Sequence, residues 1–534
     1  MGGDHMTWQP ELDEIERRRQ FALELGGEER VERHHNEGKY TIRERINKVL
    51  DEGTFEELGV LQGETQYDGP ELIDFKPGGH VVGMGKIENR MVAIGGEDYT
   101  SHRVSARKKA GWINSLAREY KIPAIHFVEG FGGGYEFRAP LDAAKAGEKP
   151  KGNERGGSGY SSHLPTMGGM HVIVDLLSTV PVVTANMGSV AGGPAAFAPA
   201  SHFFCMVKGT QIFPGGPALA LRSLGEDVTK EELGGTATHA HGSGVADNEA
   251  EDEEDCFRQI RTFLSYLPTN VWEMPPRGEV DDDPHRRDEE LLSIIPRERQ
   301  RGYNMRKLMA HVFDEDSIFE MNRYYGGSVI TAFARLNGYP ISVIANDPMT
   351  MGGAIDGDAA EKMTRFIDIG DTFHLPMVQL LDNPGFMVGT KAEEMGTIRK
   401  GIRWMTAMNQ STVPWLPFIV RRAYGVAGAG QAPSTGMNLR YAWPSGTWGG
   451  IPVEGGVDAV FRKEIEAAED PVATRAEMEE VLNARRSPFR TAETMDVEDI
   501  IDPRNTRPLL TDWVERMQSR LQSTLGPKAR GMRP

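Results

Sequence analysis

Ser178-Thr179-Val180-Pro181-Val182-Val183-Thr184-Ala185-Asn186-Met187-Gly188-Ser189-Val190-Ala191-Gly192-Gly193-Pro194 is a Pro-bounded apolar run that ends in a cluster of small residues. Its outline returns later in the chain. Ser411-Thr412-Val413-Pro414 opens a second apolar run, which closes on Tyr424-Gly425-Val426-Ala427-Gly428. Two upstream blocks recur in the same order. Lys121-Ile122-Pro123-Ala124-Ile125-His126-Phe127-Val128-Glu129-Gly130 parallels His374-Leu375-Pro376-Met377-Val378-Gln379-Leu380-Leu381-Asp382-Asn383, and Asp51-Glu52-Gly53-Thr54-Phe55-Glu56-Glu57 parallels Asp314-Glu315-Asp316-Ser317-Ile318-Phe319-Glu320. The offsets are 233 residues (178 to 411), 253 (121 to 374) and 263 (51 to 314). One shared tetrapeptide can be chance, whereas three ordered blocks mark a duplication.

Outward from these blocks, 91–94 and 341–345 read as strands. Residues 104–120 and 359–373 read as amphipathic helices, and 123–128 and 376–381 as short buried strands bounded by Pro and Gly. Strand, helix, strand order with short connections predicts an α/β domain in each half. Pro275-Pro276, Asp281-Asp282-Asp283 and the mixed charge that follows read as a linker over 275–301. The expected domains are then 12–274 and 302–525. These are two large units rather than the three or four that ~150 residues per domain would give for 534 residues. Residues 143–162, rich in Gly and Lys, form a candidate functional loop.

Composition narrows the function. The 60 basic and 78 acidic residues leave a net charge of −18, which argues against a nucleic-acid-binding or anionic-membrane surface. No apolar run reaches the ~18–20 residues of a membrane span, and no charged-then-apolar stretch at the start reads as a signal peptide. The two cysteines, Cys205 and Cys256, exclude a disulfide scaffold and a Cys₄ zinc site and fit a reducing cytoplasm. P-loop, dinucleotide-binding and nucleophile-elbow motifs are absent. The close histidine pairs, His34-His35 and His239-Ala240-His241, have no Cys or carboxylate at metal spacing, so no metal is expected.

The 62 glycines exceed the usual share of about 7%. Two glycine clusters stand at strand-to-helix junctions in matched positions. A lone junction of this kind is explained by a tight turn. A matched pair can direct successive backbone N–H groups into a cavity, with the following helix adding a positive end, and two adjacent N–H groups hold a developing oxyanion. Pro194 has no N–H, so the donors at the first junction are Gly192 and Gly193. Two oxyanion holes without a side-chain nucleophile match carboxyl transfer between an activated carrier and the α carbon of an acyl thioester.

At these residues the sequence resembles the carboxyltransferase β subunits of biotin-dependent acyl-CoA carboxylases (propionyl-, acetyl- and methylcrotonyl-CoA carboxylases), from about residue 12 to 532. Tyr40-Thr41-Ile42-Arg43-Glu44-Arg45-Ile46 is similar to the family's "T-x-R-E-R-I", and Ala191-Gly192-Gly193 to its "A-G-G". Glu232-Leu233-Gly234-Gly235 with Ser243-Gly244-Val245-Ala246 is similar to "E-L-G-G…S-G-V". Further on, Ala345-Asn346-Asp347-Pro348 resembles "A-N-Q-P", and Gly353-Ala354-Ile355-Asp356 with Ala360-Glu361-Lys362 resembles "G-x-L-D…S-E-K". Asp382-Asn383-Pro384-Gly385-Phe386 resembles "D-x-P-G-F", and Arg422-Ala423-Tyr424-Gly425 with Ala442-Trp443-Pro444 resembles "K-A-Y-G…A-W-P".

The resemblance implies an α/β fold of tandem duplicated crotonase-like (ClpP/crotonase) domains. It further implies a homohexamer whose active sites are shared between the N domain of one subunit and the C domain of another. Acyl-CoA falls to the 12–274 side and biotin to the 302–525 side. By position, Gly192 and Gly193 match one oxyanion hole and Val426 and Ala427 the other. Gly428-Ala429 stands where the family has its acyl-selecting pair. The basic cluster Arg103, Arg107, Lys108 and Lys109 is the candidate for the CoA phosphates, although a solvated face explains it equally well. The chain has no M-K-M-type biotinylation site and no ATP-binding motif, so a separate biotin carboxylase/biotin carboxyl carrier subunit is implied, with no metal in this subunit. Three departures bear on the substrate. Val426 replaces a glycine, and Gly130-Phe131-Gly132-Gly133-Gly134-Tyr135 replaces "S-G-G-A-R" without its Arg. The 143–162 segment is longer than usual. Two alternatives stay open: the same subunit type in a biotin-dependent decarboxylase, and a non-catalytic paralogue that acts as an assembly scaffold.

Overall fold

The computed structural model describes residues 7–101, 109–131, 169–298 and 301–534. The chain divides into two compact units, Met1–Leu264 and Ser265–Arg533. The first holds strands β1 (Glu56–Glu57), β2 (Gly63–Asp68), β3 (Glu71–Pro77), β4 (His80–Ile87), β5 (Arg90–Glu97), β6 (Ala124–Phe131), β7 (Val182–Ala191), β8 (Phe203–Val207), β9 (Gln211–Phe213) and β10 (Asn248–Ala250). The second holds β11 (Phe319–Met321), β12 (Val329–Leu336), β13 (Tyr339–Asn346), β14 (Met377–Asn383), β15 (Trp415–Tyr424), β16 (Tyr441–Ala442), β17 (Thr447–Gly449) and β18 (Asp499–Ile500).

The duplication read from the sequence is a duplication of sheets. One sheet runs β1-β4-β5-β6-β7-β8-β10 with β9 beside β7, and the other runs β11-β12-β13-β14-β15-β16-β18 with β17 beside β15. Each begins antiparallel and becomes parallel at the third strand. All seven residues of β14 are buried, as expected of a parallel strand covered on both faces. The helix Gly357–Thr372 begins where the Asp356 side chain accepts from the Ala359 N–H, a standard N-cap.

The 51/314 block shows the repeat at the level of single bonds. Asp51 accepts the N–H groups of Glu88 and Asn89 at 3.1 and 2.9 Å, which closes the β4–β5 turn. Asp314 accepts those of Asn337 and Gly338 at 3.1 and 2.8 Å, which closes the β12–β13 turn. Arg43 forks onto Glu57, and Arg306, at the same 263-residue offset, forks onto Glu320.

The segment expected to be a linker is packed. The two units meet at Leu264/Ser265, inside the helix Glu253–Tyr266, and 275–301 lies in the second unit. There Arg286 pairs with Asp282 and donates to the Phe313 carbonyl, while the fully buried Arg507 donates to the Asp283 carbonyl and to Asp314. The run carries both charge signs, so it can be neutralised locally instead of solvated. The helix expected over 104–120 is described as Trp112–Tyr120. Residues 104–108, and the loop candidate 143–162, lie outside the described residues. No described helix is long and apolar enough to cross a membrane.

Candidate functional site

Both glycine junctions turn on a glycine at positive φ between a strand and a short helix. β7 ends at Ala191, Gly192 turns with φ 74° and ψ −133°, and a short helix spans Gly193–Phe197. β15 ends at Tyr424, Gly425 turns with φ 64°, and a short helix spans Gly425–Gly428. Positive φ at both turns is the region where a side chain is strained. The Gly192 carbonyl accepts the Ala196 N–H at 3.0 Å, and the Gly425 carbonyl accepts that of Ala429 at 3.2 Å. The first N–H groups of each helix therefore have no acceptor within it. Gly193 is exposed, and a Cβ added there would meet nothing within 4 Å.

This geometry accommodates Val426. The positive φ belongs to Gly425, so Val426 has no need of it, and its side chain is 66% exposed. The 233-residue offset places Gly425 on Gly192, Val426 on Gly193 and Ala427 on Pro194. The pair Val426/Ala427 thus sits one residue further along than Gly192/Gly193, and Ala427 has an N–H where Pro194 has none. The helices are five and four residues long. That is too short for a large macrodipole, so the expected positive end reduces to the N–H groups themselves.

A buried, ion-paired carboxylate braces the strand that neighbours each junction strand. Glu129, at the end of β6, accepts from Arg45 at 2.6 Å and Lys39 at 3.0 Å, and Arg45 also forks onto Glu253 at 2.8 and 2.7 Å. Its counterpart Asp382, at the end of β14, accepts from Arg421 at 2.9 Å and Arg422 at 2.5 Å. Both carboxylates sit at a register irregularity, between Val128 and Gly130 and between Leu381 and Asn383. Gly188 on β7 leaves room for Glu129, since a Cβ there would lie 2.6 Å from its Oε1. At the same offset in the second unit stands Arg421 itself.

A cavity of about 440 Å³ lies in the first unit and reaches Gly193, Pro194 and Phe197. Its walls are mostly apolar (Ile113, Phe127, Val182), yet His80, Glu97 and His126 also face it. Burial pushes the Glu97 carboxyl up to about 7 and holds the His80 and His126 imidazoles down at about 4. These three side chains were not among the candidates from the sequence. The signal was present at His126, a polar residue inside the apolar run 124–128.

A carboxyl transferase domain family matches residues 163–531. The chain belongs to the carboxyl transferase family. It is 34% identical over 531 residues to the propionyl-CoA carboxylase carboxyltransferase subunit of Haloferax mediterranei, across 97% of this chain and 98% of that protein. To the methylmalonyl-CoA decarboxylase subunit alpha of Veillonella parvula it is 33% identical over 519 residues, across 95% and 96%. Among solved structures, the transcarboxylase 12S hexamer with methylmalonyl-CoA and methylmalonic acid bound superposes with a TM-score of 0.82. The identity is 30%, and 99% of this chain and 97% of that one are covered. The paired sheets are the tandem crotonase-like fold of this carboxyl transferase family.

Two of the family motifs hold the scaffold together. In Thr41-Ile42-Arg43-Glu44-Arg45-Ile46, Thr41 and Glu44 form a capping box, while Arg43 and Arg45 hold Glu57 and Glu129. Asn346 donates to the Gly353 carbonyl and accepts the Asp382 N–H.

Of the basic cluster, Arg103, Arg107 and Lys108 lie outside the described residues. Lys109 is only 7% exposed; its Nζ donates to the His80 carbonyl at 3.3 Å and lies 3.7 Å from Glu57. Burial lowers its pKa. Gly428 is buried against its own strand, where a Cβ would meet the Ala423 carbonyl carbon at 2.4 Å, and Ala429, the C-cap that follows the helix, is exposed. The histidine pairs have local roles: His34 meets the Tyr40 carbonyl and His239 the Ile212 carbonyl. Among the described residues no group of three or more His, Cys, Asp or Glu is arranged to hold a metal ion.

Proposed function

We propose that this chain is the carboxyltransferase subunit of a biotin-dependent acyl-CoA carboxylase. It would move a carboxyl group from carboxybiotin, carried on a separate biotin carboxylase/biotin carboxyl carrier subunit, to the α (or vinylogous) carbon of an acyl-CoA. The observation that carries this reading is the same strand–glycine–short-helix turn, with open first-turn N–H groups, at one position in both sheets. Gly192 and Gly193 hold the thioester oxygen as it gains negative charge, and such preorganised donors cost no rearrangement at the moment of reaction. The exposed Val426 and the adjoining Ala427 present N–H groups that fit a ureido oxygen, so these two residues orient the carrier. The biotin, when bound, supplies the carboxyl group and the base for the α proton. This leaves no step that needs a His or carboxylate as base, consistent with a site built of backbone.

The acyl-CoA falls to the first unit and the carrier to the second, with sites completed between subunits of a hexamer. The hexameric 12S relative supports that assembly. The test is co-purification with the biotinylated partner, followed by ATP-dependent bicarbonate fixation over a panel of acyl-CoAs. Fixation on at least one acyl-CoA is expected. Tight partner binding without transfer to any acyl-CoA, in either direction, would identify an assembly scaffold instead. A second reading, operation toward decarboxylation, is favoured by the similarity to the Veillonella decarboxylase subunit at nearly the same identity. Release of CO₂ from a carboxylated acyl-CoA without an ATP-dependent partner would select it.

A further inference from the structure

The cavity beside Gly193 has a size within the ≈300–1,000 Å³ of small-molecule sites. It combines an apolar wall with three polar side chains that the backbone chemistry above does not use. His126 projects from the middle of β6 and makes no hydrogen bond or ion pair with any described residue. Glu97, at the end of β5, accepts the Glu129 N–H through Oε2. His80 stands opposite Glu97 in the β4–β5 ladder. The ladder from Glu97 to His80 and the pairing of Gly95 with His126 set these side chains side by side on the sheet.

We infer that this cavity receives the acyl group of the CoA substrate, and that His126, with Glu97 and His80, selects an acyl group bearing a neutral hydroxyl. The inference rests on the acyl-CoA reading of the Gly192/Gly193 turn. A bare hydrocarbon would desolvate all three groups and leave His126 without a partner, at the cost that attends any unsatisfied buried polar atom, while Glu97 keeps the Glu129 N–H and His80 its hydrogen bond to the Gly79 backbone. A second carboxylate on the acyl group is disfavoured, because no described Lys or Arg lines the cavity and Glu97 does. The two imidazoles stay uncharged at neutral pH, which removes the other source of positive charge. A hydroxyl both donates and accepts, so it satisfies an imidazole in either tautomer and a carboxyl in either protonation state.

The test is calorimetric binding of hexanoyl-CoA, 3-hydroxyhexanoyl-CoA and 5-hydroxyhexanoyl-CoA to the intact protein. At least one hydroxylated acyl-CoA is expected to bind about tenfold tighter than hexanoyl-CoA, modest beside the discrimination of dedicated hydroxyl-binding sites. His126→Leu is expected to reduce that preference to within about threefold. Equal binding of all three by the unsubstituted protein, which needs no variant to fold, would overturn the inference while leaving the carboxyltransferase reading intact. Survival of the preference in His126→Leu would do the same. Failure of every acyl-CoA to bind would instead sink the carboxyltransferase reading and this inference with it.

Discussion

Gly193 is followed by open space on the side where a Cβ would stand, so Gly193→Ala should fold and turn over close to the unsubstituted protein. Gly193→Pro changes one thing above all: it deletes an N–H at the first helical position, where proline is sterically welcome. Steady-state kinetics should then show a loss of about 10²–10³-fold in turnover, the size usual for one oxyanion donor. A loss within threefold would remove Gly193 from the site. Glu97 gives a second residue-scale prediction. Its carboxyl is held at about 7 against an ordinary value of 4.5, so the folded protein keeps a proton that the unfolded chain has released between these values. That contribution is lost as pH rises through 7. Glu97→Gln should therefore gain stability relative to the unsubstituted protein across pH 4.5–7, by about 1–3 kcal/mol in denaturant titrations. His80 and His126 titrate in the opposite sense, but they do so in both proteins, and Lys109 and Glu129 are common to both. A difference that stays flat with pH would show that Glu97 ionises normally.

At the scale of elements, the duplication supplies its own controls. Asp51 and Asp314 do the same work at hairpin turns, but Asp314 is 7% exposed and pairs with a fully buried Arg507, whereas the Asp51 side chain is 27% exposed. Asp314→Ala should cost about 3 kcal/mol and Asp51→Ala about 1 kcal/mol in urea unfolding, because an orphaned buried charge is the larger penalty. Equal costs would show that burial does not set the difference. Arg45, 1% exposed between Glu129 and Glu253, is more critical still. Arg45→Met should destabilise the first unit by about 3–5 kcal/mol, measured by the same unfolding titration. The element assignments were legible because parallel strands buried on both faces make short apolar runs that Pro and Gly punctuate, as in 376–381. The segment 275–301 reads as a linker in sequence and carries paired charges in the structure, because a run of charge looks the same in sequence whether it is solvated or paired.

For the whole molecule, the expected assembly is six chains of 59.0 kDa each, checked by light scattering of the purified protein. A monomer would leave the proposed shared sites incomplete and would carry no transfer activity even with the partner present. Lys109 is buried and already donates to the His80 carbonyl, whereas Arg103 and Arg107 are the proposed partners of the CoA phosphates. Charge reversal at Arg103 and Arg107 should accordingly raise the KM for acyl-CoA with little change in kcat, whereas Lys109→Glu should lower stability instead.

What the residues alone carried was order and repetition. Three blocks at offsets of 233, 253 and 263 residues fixed two copies of one sheet, and glycine at matched junctions fixed where the backbone turns. These are local properties, since strand burial and positive φ leave their mark on the residue types next to one another in the chain. The braces and the cavity are not local. Glu129 meets Arg45 from 84 residues away, and His80 and His126 come together because β4, β5 and β6 are neighbours in a sheet. Which charges pair, which lysine is withdrawn from solvent and which histidines face an open cavity depend on distances between strands that no spacing in the sequence encodes.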